Sequence, residues 1–468
     1  NITATDASYF KLFGGGDNLM LKNGTLVLNE NISISRVNNN GSNDPFRVGY
    51  DNNQNAALII NGADFLIGTS SQGIDIYGKL VMNSGNLLVQ NQGIILNNNG
   101  EIEFNGGLST ASRLRPSSTP GTHRGSFIMT AGTLTIDGVN DVAGDNNFPR
   151  FAISFENQVF IMSGGTLNIS DPESDTGPSS ATNGGILINC GVANYSVTGG
   201  NVNITIPASS THFNINSTAP FYNLNIYKAG AGTGTAILTT QRYKHPNQVD
   251  LVIPAHPLVV INDLTIYTGN DPEFNANGNN VTVGHDFTIQ PSTIYTPGNN
   301  TTIFNGSSDQ IFTNDGTITT GLYNLTNSTL GTLLLSGATA TYTVLNDLSL
   351  LSGILDDNGK FVYVAGNVTN NAIHQGTGKI ELNKTTASQI ITGNGTGIFG
   401  NLSLNNTFGT DGSTQYYMTA NMTINDALIF TTQRLFNISS YNLLFNASAL
   451  INNASGTGFI VTSGNASD

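Results

Sequence analysis

A ten-residue phrase recurs between Leu80 and Ile204 and limits the architectures open to the chain. It reads LVMNSGNLLV around Gly85, FIMTAGTLTI around Gly132, FIMSGGTLNI around Gly165 and YSVTGGNVNI around Gly200, so the last two steps are 165 − 132 = 33 and 200 − 165 = 35. Each copy is an apolar half-strand, a small-residue corner holding glycine, and a second strand in which apolar and polar residues alternate. Val202, Ile204 and Ile206 interleave with Asn203 and Thr205, and Leu134 and Ile136 flank Thr135. A period of two places one set inward and the other in water, and glycine at the corner permits backbone angles that a Cβ opposes.

From about position 221 a longer unit takes over. Tyr222-Asn223-Leu224, Tyr323-Asn324-Leu325 and Gly400-Asn401-Leu402 each open a unit, and Asn262-Asp263-Leu264, Asn346-Asp347-Leu348 and Asn425-Asp426-Ala427-Leu428 mark a second point within it. The steps between these second points are 346 − 262 = 84 and 425 − 346 = 79. A third landmark agrees: Gln310-Ile311-Phe312-Thr313 precedes Gln389-Ile390-Ile391-Thr392 by 389 − 310 = 79. The chain therefore divides into 1–220, built on the glycine-cornered phrase, and 221–468, three related units at 221–320, 321–397 and 398–468. The first of the three is enlarged by an insertion near 228–258.

Short alternating strands separated by Asn and Gly, with no helical period between them, predict an all-β protein. Repetition without a closing count, and glycines reused at equivalent corners, favour an elongated parallel β-helix (β-solenoid) with coils of about 22 residues. Serial β-sandwich repeats are the alternative for the C-terminal half. Of 468 residues, 54 are Gly, 65 Asn and 92 Ser or Thr, while only 10% are charged. An ordinary soluble domain is roughly 25% charged, so a cytosolic helical enzyme is disfavoured. The 38% hydrophobic content, spread throughout, argues against disorder.

A net charge of −14 with 16 Lys plus Arg disfavours nucleic acid, which needs a dense basic surface. No apolar run approaches the ~18 residues of a membrane span. The opening Asn1-Ile2-Thr3-Ala4 lacks the basic and apolar regions of a signal peptide, so the chain reads as a mature or excised segment. Cys190 is the one cysteine and reads as a buried small hydrophobe, with no disulfide framework or metal cluster.

FIMSGGTLNI, FGNLSLNNT, YNLTNSTLGT and the passage from Asn346 through LSLLSGILDDNGKFVYVAGNVTN to GTGKIELN resemble the repetitive surface proteins of Bacteroidota, the large adhesins exported by the type IX secretion system. The likeness covers most of the chain, though its motifs are glycine corners and strand alternation. It implies a cell-surface, adhesive β-helical fibre segment, of which gliding-motility adhesins are one kind. The C-terminal sorting domain of such exported proteins is not recognisable.

Candidate sites are few. The chain holds 24 Asn-x-Ser/Thr triplets against about 13 expected from composition, each a glycan acceptor if exposed in a secreted chain. Strand patterning competes: Asn-apolar-Thr puts both polar residues outward, as at Asn367-Val368-Thr369, Asn401-Leu402-Ser403 and Asn437-Ile438-Ser439. Asn305-Gly306-Ser307 and Asn394-Gly395-Thr396 escape that account. The acids Asp171, Glu173 and Asp175 read as a solvated loop, Asp356-Asp357-Asn358-Gly359 as a turn, and His123, His212 and His285 lack metal spacing. Arg113, Arg115, His123 and Arg124 read as a solvated insertion loop, with an anionic glycan or a neighbouring subunit as the alternative contact. Neither catalytic nor cofactor residues stand out. Structural calcium is the ion an acidic extracellular solenoid would use, but no EF-hand loop or glycine-aspartate nonapeptide is present.

The sequence thus predicts a non-catalytic, extracellular cell-surface adhesin or fibre segment whose partners are extracellular surfaces or polysaccharides. The rivals are a self-assembling filament or sheath subunit and a polysaccharide-cleaving β-helix enzyme.

Overall fold

The computed structural model describes residues 8–14, 20–30, 32–38, 46–50, 54–67, 73–90, 93–117, 123–138, 149–170, 184–208, 212–243, 251–409, 414–431, 435–453 and 458–462. They form parallel β-solenoid structure in two units, residues 1–259 with 267–274 and residues 260–266 with 275–468. Among the described residues the only helical piece is the 3-10 turn Val192–Asn194, and no helix is long and apolar enough to cross a membrane.

In the first unit the repeated phrase is one long, bent strand. Lys79–Val89, Glu101–Ala111, Ser126–Ile136, Val159–Ser170 and Tyr195–Ile206 pair in that order, all parallel. Lys79 pairs with Glu101, and further along the same strands the Asn105 amide donates to Asn83, a coil length of 22 in each case (101 − 79 and 105 − 83). The coils that follow are longer, 126 − 101 = 25, 159 − 126 = 33 and 195 − 160 = 35 residues. Alternation selects the interior: Phe127, Met129, Leu134 and Ile136 are inward and 0% exposed. Register turns these positions into columns. Ile102 pairs with Phe127 and Phe127 with Phe160, and the two phenyl rings stack at 5.7 Å with planes 7° apart. Leu134, Leu167, Val202 and Leu224 form a second column. Three-residue strands such as Ile94–Leu96, Leu114–Pro116 and Phe151–Ile153 build the second sheet, with all three residues buried in each.

The glycine corner has a packing cause beyond its dihedral. Gly85 has φ +86°, and a Cβ there would lie 2.3 Å from the Ala63 carbonyl oxygen of the preceding coil. Gly85→Ala is expected to cost about 1–3 kcal/mol from backbone strain alone, with the clash added. The check is the denaturant midpoint; an unchanged midpoint would show the corner to be adaptable.

In the second unit the strands are shorter, commonly three residues with an inward-outward-inward pattern. Leu348–Leu350 and Val368–Asn370 are of this kind, following Asn324–Asn327 on the same sheet. Every described pairing within this unit is parallel, so the solenoid runs through the C-terminal half and the sandwich alternative is set aside. Leu325 pairs with Leu348, and Leu402 with Leu428. The two leucine landmarks of a unit therefore occupy one inward column a single coil apart. Among the described pairings one is antiparallel, Gln241–Tyr243 with Leu251–Ile253, within the stretch read as an insertion.

Candidate functional site

Most of the asparagine, aspartate and glutamine in the second unit serves the corners. Where a coil turns, a backbone N–H falls outside the strand ladder and needs an acceptor. The preceding coil supplies it: Asp286 Oδ1 accepts from Ile311 N–H at 2.7 Å, Asp347 Oδ1 from Asn367 N–H at 2.8 Å, and Asn367 Oδ1 from Ile390 N–H at 2.9 Å. Carboxylate and amide oxygens are interchangeable in this role, so Asp and Asn alternate at the landmarks. The two landmark glutamines are brackets. Gln310 is 0% exposed; its Nε2 donates to the carbonyls of Val283 and His285, and its Oε1 accepts from Gly306 N–H. Gln389 repeats this with Val364 O, Gly366 O and Lys384 N–H.

Among the described residues one cluster could hold a metal ion, Asp263, His285 and Asp286, with ligand atoms within 4.8 Å of one another. Its oxygens are largely committed. Asp263 Oδ1 accepts from Asp286 N–H and lies 2.6 Å from His285 Nδ1, and Asp263 Oδ2 accepts from Asn262. Calcium takes roughly six to eight oxygen ligands, a cage this set does not provide. The hydrogen bond that the protonated His285 ring donates to Asp263 holds its pKa above the ordinary histidine range. Its contribution to stability is therefore full below about pH 6.5 and lost as pH rises through the raised value. The side chains are 40% and 39% exposed, so that contribution is small. An NMR titration should find His285 titrating above pH 6.5, and Asp263→Asn should lower its midpoint; an unmoved midpoint would remove Asp263 as the cause.

His374 and Asp357 form a fully buried polar pair, both side chains 0% exposed. Asp356 to Gly359 is a turn, as its composition indicated, with Asn358 at φ +49° and Gly359 at +78°; Asn277 and Gly278 repeat those angles at +50° and +78°. The residue before the glycine-bearing corner differs. Ala276 is buried in the one, whereas Asp357 is buried in the other, its Oδ1 accepting from Gly359 and Gly378 N–H at 2.8 Å each and its Oδ2 lying 2.9 Å from His374 Nε2. A Cβ on Gly376 would lie 2.1 Å from that Oδ1, so the corner admits the carboxylate only because it is glycine. His374 follows Leu333 and Leu355 in an inward column. Strand alternation alone does not reveal this, because Ile373 is the apolar neighbour and is 38% exposed. A dyad sealed from solvent has no route to a substrate and acts on the fold.

The basic stretch is not a solvated loop. Arg113, Arg115 and His123 are 1%, 8% and 1% exposed, and only Arg124 faces water; residues 118–122 lie outside the described residues. His123 Nε2 is 2.9 Å from Ser117 Oγ and its ring stacks on Phe155 at 5.5 Å. Burial pushes its pKa down to about 4. Cys190 is buried, as expected, and burial pushes its thiol up to about 12. Asp171, Glu173 and Asp175 lie outside the described residues.

The five sequon asparagines occupy different surroundings. Asn305 and Asn394 are exposed, and Asn394 Oδ1 accepts from both Thr396 N–H (3.0 Å) and its hydroxyl (2.7 Å). Asn367 is half-buried and its Oδ1 holds Ile390 N–H. Asn401 donates Nδ2 to Gly378 O, and Ser403 of its triplet is 0% exposed and bonded to Glu381. Asn437 Oδ1 accepts from Ser439 N–H. Outward on the first unit, amides form rungs from coil to coil, as in Asn61 to Asn29, Asn203 to Asn168 and Asn225 to Asn203. No protein-family model, curated protein or solved structure matches this chain.

Proposed function

We propose that this chain is a non-catalytic, extracellular surface adhesin or fibre segment that presents polar solenoid faces to surfaces or polysaccharides. The observation that supports it best is the outer amide ladder. Asn61 bonds to Asn29, and Asn168, Asn203 and Asn225 bond in a run across coils, leaving stiff polar faces suited to many weak contacts in parallel. The resemblance to type IX secreted adhesins of Bacteroidota points the same way, and the fully buried pair of His374 and Asp357 is ill placed for the rival polysaccharide-cleaving activity. Beads coated with the protein should attach to cells or polysaccharide films more strongly than beads coated with albumin. Equal attachment, or release of reducing sugars from a polysaccharide panel, would sink this reading.

Glycan occupancy is expected at the exposed turns of Asn305 and Asn394 and not at Asn401, whose amide and serine are engaged by the fold. Peptide mapping by mass spectrometry of protein from its native cells checks this, and occupancy at Asn401 would contradict it. A second reading, self-assembly, is favoured by Leu444, Leu450, Ile451 and Phe459, which are 55–67% exposed together on the last described strands. Such a surface suits the stacking of a further coil from another molecule. A sedimentation coefficient independent of concentration would exclude it.

A further inference from the structure

In the second unit one sheet stops. Ile294–Thr296 pairs with Thr317–Ile318, and among the described strands none pairs with Thr317–Ile318 on its other side. The following coil cuts the corner instead. It turns at Gly337, φ +97°, where Thr339 N–H donates to Asn314 O and Ala338 N–H to Asp315 Oδ1. Tyr342 then fills the shortened interior, 1% exposed, donating its hydroxyl to Ser336 O at 2.7 Å. The omission leaves a cleft of about 320 Å³ between the abandoned strand edge and the segment from Thr339 to Thr343.

We propose that this cleft binds a neutral saccharide residue. Three observations carry the assignment. First, Asn314 lines the cleft, is only 5% exposed, and its Oδ1 has no hydrogen-bond partner among the described residues. A buried amide oxygen left unpartnered is costly and awaits a donor such as a sugar hydroxyl. Second, the rest of the lining is rich in threonine. Thr317, Thr341 and Thr343 have hydroxyls that make no hydrogen bond among the described residues. Threonine offers a hydroxyl beside a methyl, matching the mixed polar and C–H surface of a pyranose, and no lining residue is charged, so neither an anion nor a cation is selected. Third, Thr320 holds φ +62° in the cleft wall, a left-handed conformation rare for a β-branched residue. Strain of this kind gathers at ligand sites.

The volume lies at the lower end of the roughly 300–1,000 Å³ of small-molecule sites, which suits a monosaccharide or disaccharide. A peptide adding to the open edge is disfavoured, because Thr317–Ile318 offers a two-residue strand, too short for a stable added one. The assignment is independent of the adhesive reading: sugar binding without attachment would keep the cleft and sink adhesion, and attachment without sugar binding would do the reverse.

The test is titration of the full chain, followed by saturation-transfer NMR, with methyl glucoside, methyl galactoside, methyl mannoside, N-acetylglucosamine and their disaccharides, against glucuronate and a threonine-rich heptapeptide. At least one neutral sugar is expected to bind, with affinity reduced ten-fold or more by Asn314→Leu and by Thr341→Val. Thr369→Val, on another outward face, should leave it unchanged. The threonine substitution lies at an exposed position and so retains the fold if Asn314→Leu does not. The proposal fails if no neutral sugar binds, if only glucuronate or the peptide binds, or if Thr341→Val leaves affinity unchanged.

Discussion

Replacing Asp357 with alanine is expected to destabilise the second unit by about 3–5 kcal/mol, and His374→Ala by a comparable amount. The size follows from burial. Both side chains are 0% exposed, and the carboxylate is held by two backbone N–H groups as well as the imidazole. Removing the carboxylate strands Gly359 N–H, Gly378 N–H and the imidazole; removing the imidazole leaves Asp357 Oδ2 in a dry interior without that partner. Replacing both with leucine is expected to restore only part of the loss: the column already contains Leu333 and Leu355 and accepts an apolar side chain in place of the imidazole, but Gly359 and Gly378 N–H stay without an acceptor. Amide hydrogen exchange across Ile354–Leu382 reports the local free energy, which matters because long repeat arrays need not unfold in one step. Single variants within about 1 kcal/mol of the parent, or a double variant worse than either, would show that the pair is not coupled as its geometry implies.

Acid is expected to weaken the first unit through His123. Its folded-state pKa is about 4, lowered by burial, whereas an unfolded histidine titrates near 6.5. Between those values the unfolded chain binds the proton and the folded chain does not, so stability is full above about pH 6.5 and falls as pH drops toward 4. The whole window is worth about 3 kcal/mol. His123→Phe keeps a ring to stack on Phe155 and removes the proton site. Denaturant melts at pH 7.5 and 4.5 should show a large difference for the parent and a much smaller one for the variant. Equal differences would assign the acid sensitivity to other groups. The sign is opposite to that of His285, whose exposed carboxylate partner favours the charged form.

The repetitive parts of the molecule were the legible ones. Gly85, Gly132, Gly165 and Gly200 announced corners because glycine permits backbone angles that a Cβ opposes, and all four adopt positive φ, between +77° and +96°. Leu134, Ile136, Val202 and Ile204 announced the interior by alternation and are 0–1% exposed. The sites were less legible, because they depend on partners a coil away. Gln310 looked like a landmark and is a bracket for the carbonyls of Val283 and His285. Arg113 and Arg115 looked like surface charge and are buried. Asp357 looked like an ordinary turn acid until Gly376, on the next coil, left room for it.

Local chemistry along the chain determined that this protein would be built of short parallel coils, because alternation and glycine corners act within a single turn of backbone. The tertiary structure alone decided which polar groups turn inward, that His374 meets Asp357, and that one sheet ends at Ile318 to open a cleft beside Asn314. Those outcomes rest on register between coils, and register is set by the summed packing and hydrogen bonding of whole neighbouring turns rather than by any single segment.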